Sequence, residues 1–233
     1  NRGISIIRDC SSGSNASTLL CMDRHEMFYR KYAFGADGKK LAEQLGWLTA
    51  HSSALPLCEV IRSERGSEYC CYDMRYESDS SCMFQYIHSH PVQAGERVLS
   101  SLLESVRSRL YVLNTRPADA EHISRYISAK VTDNLNAIMT SRAMADLLSY
   151  DTLTINHKEY LNLPRLMGMF EPEHLVGVFS GDTYCDIHGD LTIENIICTG
   201  GDGGFYLIDP NPGNIHESSF LDYAKLLQSL HGG

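Results

Sequence analysis

Short apolar stretches divided by polar turns dominate the first third of the chain. Ile4 to Arg8, Thr18 to Met22 and Glu26 to Ala33 read as three strands, being short, rich in apolar and aromatic residues, and bounded by turn residues. Ser11 to Ser17, between the first two, is a loop of small residues. Within Lys39 to Leu48 the residues Leu41, Leu45 and Leu48 recur at i, i+4 and i+7, the spacing of a helix with one apolar face. Leu57 to Arg62 and Tyr69 to Tyr76 read as two further strands, with Arg65 and Gly66 in the turn between them. The polar run that starts at Glu77 has no periodicity, and a break between two parts of the chain is expected there.

Beyond it the period becomes helical. Val98, Leu102, Val106, Leu110 and Leu113 mark one helix between Gly95 and Leu113. Ile123, Ile127, Val131, Leu135, Ile138 and Leu147 mark one or two more between Ala118 and Leu148. His88 and His90, alternating before a proline, read as a surface loop. Thr152 to Leu161 reads as a hairpin and Leu163 to Phe170 as a short helix. The pattern predicts an α+β protein, with a small antiparallel sheet over residues 1–77 and a mainly helical part over residues 78–233.

One late stretch departs from this helical texture. Ile196-Ile197-Cys198 and Phe205-Tyr206-Leu207-Ile208 are two apolar runs joined by Thr199-Gly-Gly-Asp-Gly-Gly, a hairpin signal. Such a hairpin returns Asp209 to the neighbourhood of Asn195 and, through it, of Asp190. Two carboxylates and an amide oxygen on one edge suit a hard cation such as Mg²⁺, which takes oxygen ligands and leans on substrate phosphates. Phosphoryl transfer needs this set: a carboxylate to orient and deprotonate a hydroxyl, and oxygen ligands for the nucleotide's metal.

The segment His188-Gly189-Asp190-Leu-Thr-Ile-Glu-Asn195, followed by Ile208-Asp209-Pro210, resembles the catalytic segment of the aminoglycoside phosphotransferase and choline kinase group, within the wider protein-kinase-like fold. The resemblance implies a two-lobed fold and Mg²⁺-assisted transfer from ATP to a small-molecule hydroxyl of the aminoglycoside, sugar or amino-alcohol type. It implies Asp190 as catalytic base, Asn195 and Asp209 as Mg²⁺ ligands, and His188 as a structural residue. Asp222, within Phe220-Leu-Asp222-Tyr-Ala-Lys-Leu, resembles the group's structural aspartate. Gly189 stands where many eukaryotic protein kinases have an arginine that pairs with a phosphorylated loop, which implies no such switch.

The same resemblance extends to the N-terminal part. A small-residue loop lets backbone N–H groups approach phosphates, which makes Ser12, Gly13 and Ser14 the expected nucleotide cradle. Alternation along a strand puts Lys31 and Arg30 on opposite faces, and the family pattern selects Lys31 as the phosphate-binding cation. Glu43 is expected as its carboxylate partner, with Gln44 as the alternative. The backbone near Asp73, Met74 and Tyr76 is expected to form the hinge that holds the base, so Met74 and Tyr76 join the cofactor-binding set. Two rivals stand beside this reading: a non-catalytic kinase-like nucleotide-binding module, and a metal-dependent hydrolase with Asp186, His188, Asp190 and Asp209 as ligands.

Composition narrows the partners. A formal net charge of -9 disfavours nucleic acid and anionic membranes. No run approaches the ~20 apolar residues of a membrane span. The eight cysteines lie without a C-x-x-C, several in apolar runs as buried thiols do, which points to a reducing cytoplasm. The chain begins inside an apparent strand and stops soon after a helix starts, the expected look of a piece of a longer protein. Asp182 and Asp186 are candidates for binding an amine or a sugar hydroxyl.

Overall fold

The computed structural model describes residues 3–11, 15–24, 26–200 and 203–232. In chain order the elements are β1 (Ile4–Asp9), β2 (Ser17–Asp23), β3 (Glu26–Phe34), α1 (Gly35–His51), β4 (Val60–Arg65), β5 (Tyr69–Arg75), β6 (Ser81–Cys82), α2 (Met83–Ser89) and α3 (Val92–Ser105). There follow β7 (Arg116–Pro117), α4 (Ala120–Ile127), α5 (Asp133–Met139), α6 (Ala145–Leu148), β8 (Thr152–Ile155), β9 (Lys158–Leu161), α7 (Leu163–Leu166) and α8 (Pro172–Phe179). The chain closes with β10 (Thr183–Tyr184), β11 (Ile196–Cys198), β12 (Phe205–Leu207) and α9 (Ser219–Gly232). The protein is α+β, with an antiparallel sheet early in the chain and helices later. Among the described residues no helix is long and apolar enough to cross a membrane.

The chain forms two compact units, and they do not divide at residue 77. One unit holds residues 1–113, 185–214 and 219–233; the other holds 114–184 and 215–218. The reason is a single hydrophobic core in the first unit. It joins Leu41, Leu45 and Leu48 of α1 and Tyr72 of β5 to Val98 and Leu102 of α3, and on to Ile196, Cys198, Leu207 and Leu226. Strand β6 seals this by pairing with β11.

In the first unit the five-stranded sheet runs β1-β2-β3-β5-β4, each pair antiparallel. Its two faces have different chemistry. On one, Lys31, Ala33, Cys70, Tyr72 and Met74 are buried. On the other, Asp73 is 1% exposed and takes a two-point ion pair from Arg30 at 2.7 and 2.8 Å and a third contact from Arg62 at 2.9 Å. Both arginines lie over the Phe28 ring, at 5.3 and 4.6 Å. Arg30 is thus a buried-pair residue rather than an exposed strand cation.

The second unit is built on α4 and α8, with short strand pairs β7–β10 and β8–β9. Its core includes Ile123, Ile127 and Tyr184. Buried His216 bridges Asp182 at 3.0 Å and the Tyr184 hydroxyl at 3.1 Å, among the rings of Tyr126 and Phe179. In the first unit one expectation is corrected: His88 lies in helix α2 and His90 caps it, rather than both lying in a loop, with their rings bonded to the carbonyls of Phe84 and Tyr86 one turn back.

All eight cysteines are free, and five of them are buried. Burial, with the Asp209 carboxylate adding to it, pushes the Cys58 thiol from an ordinary 9.0 up to about 12. The folded thiol keeps its proton where the unfolded one has lost it. Its contribution is therefore complete below pH 9.0 and is lost as pH climbs towards about 12. Urea midpoints of the wild type should fall over this range, and Cys58→Ala should flatten part of that fall. Parallel alkaline limbs for the two proteins would refute it.

Candidate active site

The site lies wholly within the first unit and starts from the late hairpin. Strands β11 and β12 pair with Ile196 opposite Leu207, and the Ile208 N–H donates to the Asn195 carbonyl at 3.1 Å. That register puts Asn195 and Asp209 at the same open end. Gly203, with φ +76, turns the chain between the strands. Asp209 itself has φ +55, a left-handed conformation that costs an L-residue roughly 1–2 kcal/mol. Just beyond it, the Asn211 N–H donates to the His188 carbonyl at 2.8 Å.

His188 organises the loop that faces this hairpin. It is fully buried. Its Nε2 meets the Ile208 carbonyl at 2.9 Å, and its Nδ1 meets the Asp190 N–H at 3.3 Å. The neutral ring with hydrogen on Nε2 satisfies both bonds, so neither nitrogen is left for a metal. The backbone N–H groups of His188 and Gly189 donate to the two oxygens of Asp222, at 2.8 and 2.7 Å. The Tyr111 hydroxyl adds a third bond to Asp222 at 3.1 Å. Burial pushes the Asp222 carboxyl above its ordinary value, against the opposing pull of these three donors. Gly189 has φ +80, and a Cβ there would stand 2.1 Å from Asn214 Nδ2 and 2.3 Å from the Asn211 carbonyl. Neither arginine nor alanine fits.

Asp190 follows, half exposed. Asn195 Nδ2 donates to its carbonyl at 2.9 Å and lies 3.3 Å from its Oδ2. Lys225 Nζ stands 3.2 Å from its Oδ1. The expected trio therefore meets: Asn195 touches Asp190, and the hairpin register holds Asp209 next to Asn195.

Lys31 completes the group. Its Nζ lies 2.6 Å from Asp209 Oδ1, with the lysine side chain only 5% exposed and the aspartate 34%. Strand alternation does separate Lys31 from Arg30. Glu43, by contrast, is exposed and does not partner Lys31, which pairs with Asp209 instead. One residue along a helix is a rotation of about 100°, enough to put Gln44 on the inner side, where its Nε2 donates to the Pro210 carbonyl at 2.8 Å. A cavity of about 250 Å³ is lined by Asn15, Ala16, Lys31, Asp37, Lys40, Leu41 and Gln44. Ser12, Gly13 and Ser14 lie outside the described residues.

Met74 is also corrected. It sits inside β5, paired on one side with Tyr29 and on the other with Val60, and its side chain is buried in the core. The ladder extends through Arg75, whose N–H bonds the Glu59 carbonyl. Tyr76 is the first residue past the strand and packs against Tyr29 at 5.7 Å. The other acidic candidates are engaged: Asp182 with His216, and Asp186 with His51 Nε2 at 3.0 Å. His51 and Lys225 were not foreseen. The signal for Lys225 was its i+3 spacing from Asp222, which puts both on one helix face. No protein-family model matches the chain, and no curated protein matches it.

Removing the Asp222 carboxylate leaves buried N–H groups without acceptors, each at a cost of about 1–3 kcal/mol. Asp222→Ala should lower unfolding stability by about 3 kcal/mol or more in urea titrations, with Asp222→Asn in between. A change under about 0.5 kcal/mol for the alanine variant would contradict this account of the loop.

Proposed function

We propose that the protein transfers a phosphoryl group from ATP to a hydroxyl of a small molecule, on a two-lobed fold like that of the aminoglycoside phosphotransferase and choline kinase group. One observation carries the reading. The Lys31–Asp209 ion pair at 2.6 Å joins a buried strand cation to the aspartate at the open end of the hairpin, beside Asn195 and the half-exposed Asp190. Cation, metal-type oxygens and base in that arrangement match the parts that phosphoryl transfer needs.

The residues act as follows. Lys31 binds nucleotide phosphate as a point charge. Lys40 in the adjoining cavity adds a second cation for an anionic ligand, with the Asp37 carboxylate lining the same cavity. Asp190 orients the acceptor hydroxyl and takes its proton. The hydroxyl oxygen bonds to the γ-phosphorus, and the bond to the bridging oxygen breaks with its electron pair leaving on ADP. Asn195 commits its amide nitrogen to Asp190, so its Oδ1 can serve a cation, together with the Asp209 oxygen not held by Lys31. Among the described residues no three His, Cys, Asp or Glu side chains cluster as a metal cage. Such a pair of oxygens fits Mg²⁺, which fills its remaining positions with water and phosphate. Asn195 and Asp209 would hold such an ion, and the chemistry supplied on binding would be neutralisation of phosphate charge. The hydrolase alternative is disfavoured, because both His188 nitrogens and the Asp186 carboxylate already have partners.

ADP release should be followed with ATP, Mg²⁺ and, in turn, choline, kanamycin and glucose. At least one acceptor should raise turnover, and Asp190→Asn should lower it by about 10²–10⁴ with nucleotide binding retained. No acceptor-dependent ADP, or near-normal turnover in Asp190→Asn, would overturn the reading.

A second experiment separates the neighbours on β3. Lys31→Ala should weaken ATP binding by about 1.5–3 kcal/mol in calorimetry. Arg30→Ala should leave ATP binding nearly unchanged while lowering thermal stability, because the buried Asp73 loses its two-point partner. Equal losses of ATP affinity in the two variants would count against the assignment of faces.

A further inference from the structure

Helix α9 grips the Asp190 loop at two points. Asp222 lies beneath it, accepting the backbone N–H groups of His188 and Gly189. Lys225, on the same face of the helix, reaches the Asp190 carboxylate itself at 3.2 Å. The two contacts differ in kind. Asp222 is fully buried, whereas the Lys225 and Asp190 side chains are 38% and 39% exposed. An ion pair that open contributes about 0–1 kcal/mol to stability, so stability gives little reason for it.

Its geometric effect is larger. A carboxylate end rotates through a broad, nearly two-fold well. Here each oxygen meets a donor from a different element: Oδ1 meets Lys225 from α9, and Oδ2 meets Asn195 from the start of the hairpin. Two donors on opposite oxygens define one plane for the group. Each oxygen keeps a lone pair for an incoming hydroxyl.

We infer that Lys225 is a positioning residue for Asp190, fixing the plane of the carboxylate that receives the hydroxyl proton; the inference rests on the phosphotransferase reading. The rate of a proton transfer depends on alignment, and small misplacements are costly. Loss of Lys225 should therefore act on turnover rather than on nucleotide capture or folding.

The test uses Lys225→Met, Lys225→Arg and Lys225→Ala in the full chain, with ATP, Mg²⁺ and whichever of choline, kanamycin or glucose the wild type phosphorylates. Lys225→Met should lower kcat about 10- to 100-fold while the KM for ATP stays within about twofold. Its melting temperature should match the wild type. Lys225→Arg should restore most of the rate, and added ethylamine should restore part of it in Lys225→Ala. With Asp190→Asn already present, Lys225→Met should bring no further loss. A wild-type kcat in Lys225→Met, a loss confined to KM or melting temperature, or no rescue by arginine or ethylamine would overturn the inference alone. If the wild type itself phosphorylates none of the three acceptors, the phosphotransferase reading fails and this inference falls with it.

Discussion

The contact on which the site depends is the ion pair of Lys31 and Asp209. An ammonium this deeply buried cannot stay charged at low cost without an anion close by. The pairing at 2.6 Å therefore constrains everything that delivers either partner. Strand β3 must keep its register against β2 and β5, since a slip of one residue sends Lys31 to the Asp73 face and Arg30 to the core. The β11–β12 hairpin must keep Ile196 opposite Leu207, or Asp209 moves away from both Lys31 and Asn195. Helix α1 must approach closely enough for Gln44 to reach the Pro210 carbonyl.

The choice of Gln44 over Glu43 on the inner side of α1 has an electrostatic meaning. A carboxylate there would compete with Asp209 for the same lysine. A neutral amide ties the helix to the loop and leaves Lys31 paired with Asp209. The helix and the late loop are thus coupled by an uncharged hydrogen bond, which salt screening barely touches.

What was legible in the amino-acid sequence were features with short-range causes. The glycine-rich link between two apolar runs encoded the hairpin, and with it the meeting of Asn195 and Asp209. Alternation separated Lys31 from Arg30. The leucine spacing marked α1, although the observed helix is longer at both ends. Other features depended on contacts between distant segments. The burial of Asp73 beneath Arg30 needs β4 to bring Arg62 alongside. Whether the Met74 backbone was open to a ligand depended on a neighbouring strand on each side. Glu43 was misplaced by a single position, which on a helix changes the face. The i+3 spacing puts Lys225 on the helix face of Asp222, but its partner Asp190 lies thirty-five positions earlier, and that pairing depends on how α9 packs against the loop. The first compact unit runs across residue 77 because α3 and the hairpin share the core of the sheet, a fact of packing rather than of composition.

The interrupted course of the first unit has a consequence for how the chain is made. Residues 114–184 emerge between the sheet and the segment that completes it. Lys31 and Asp209 are 178 positions apart. At a synthesis rate of roughly 5–20 residues per second, the lysine waits on the order of 10–35 seconds for its aspartate. During that interval the inner face of β3, β5 and α1 lacks the Ile196, Leu207 and Leu226 side chains that later cover the shared core. The nascent sheet is then a half-built surface, and the second unit is incomplete over the same interval, since its buried His216 follows Asp209 in the chain.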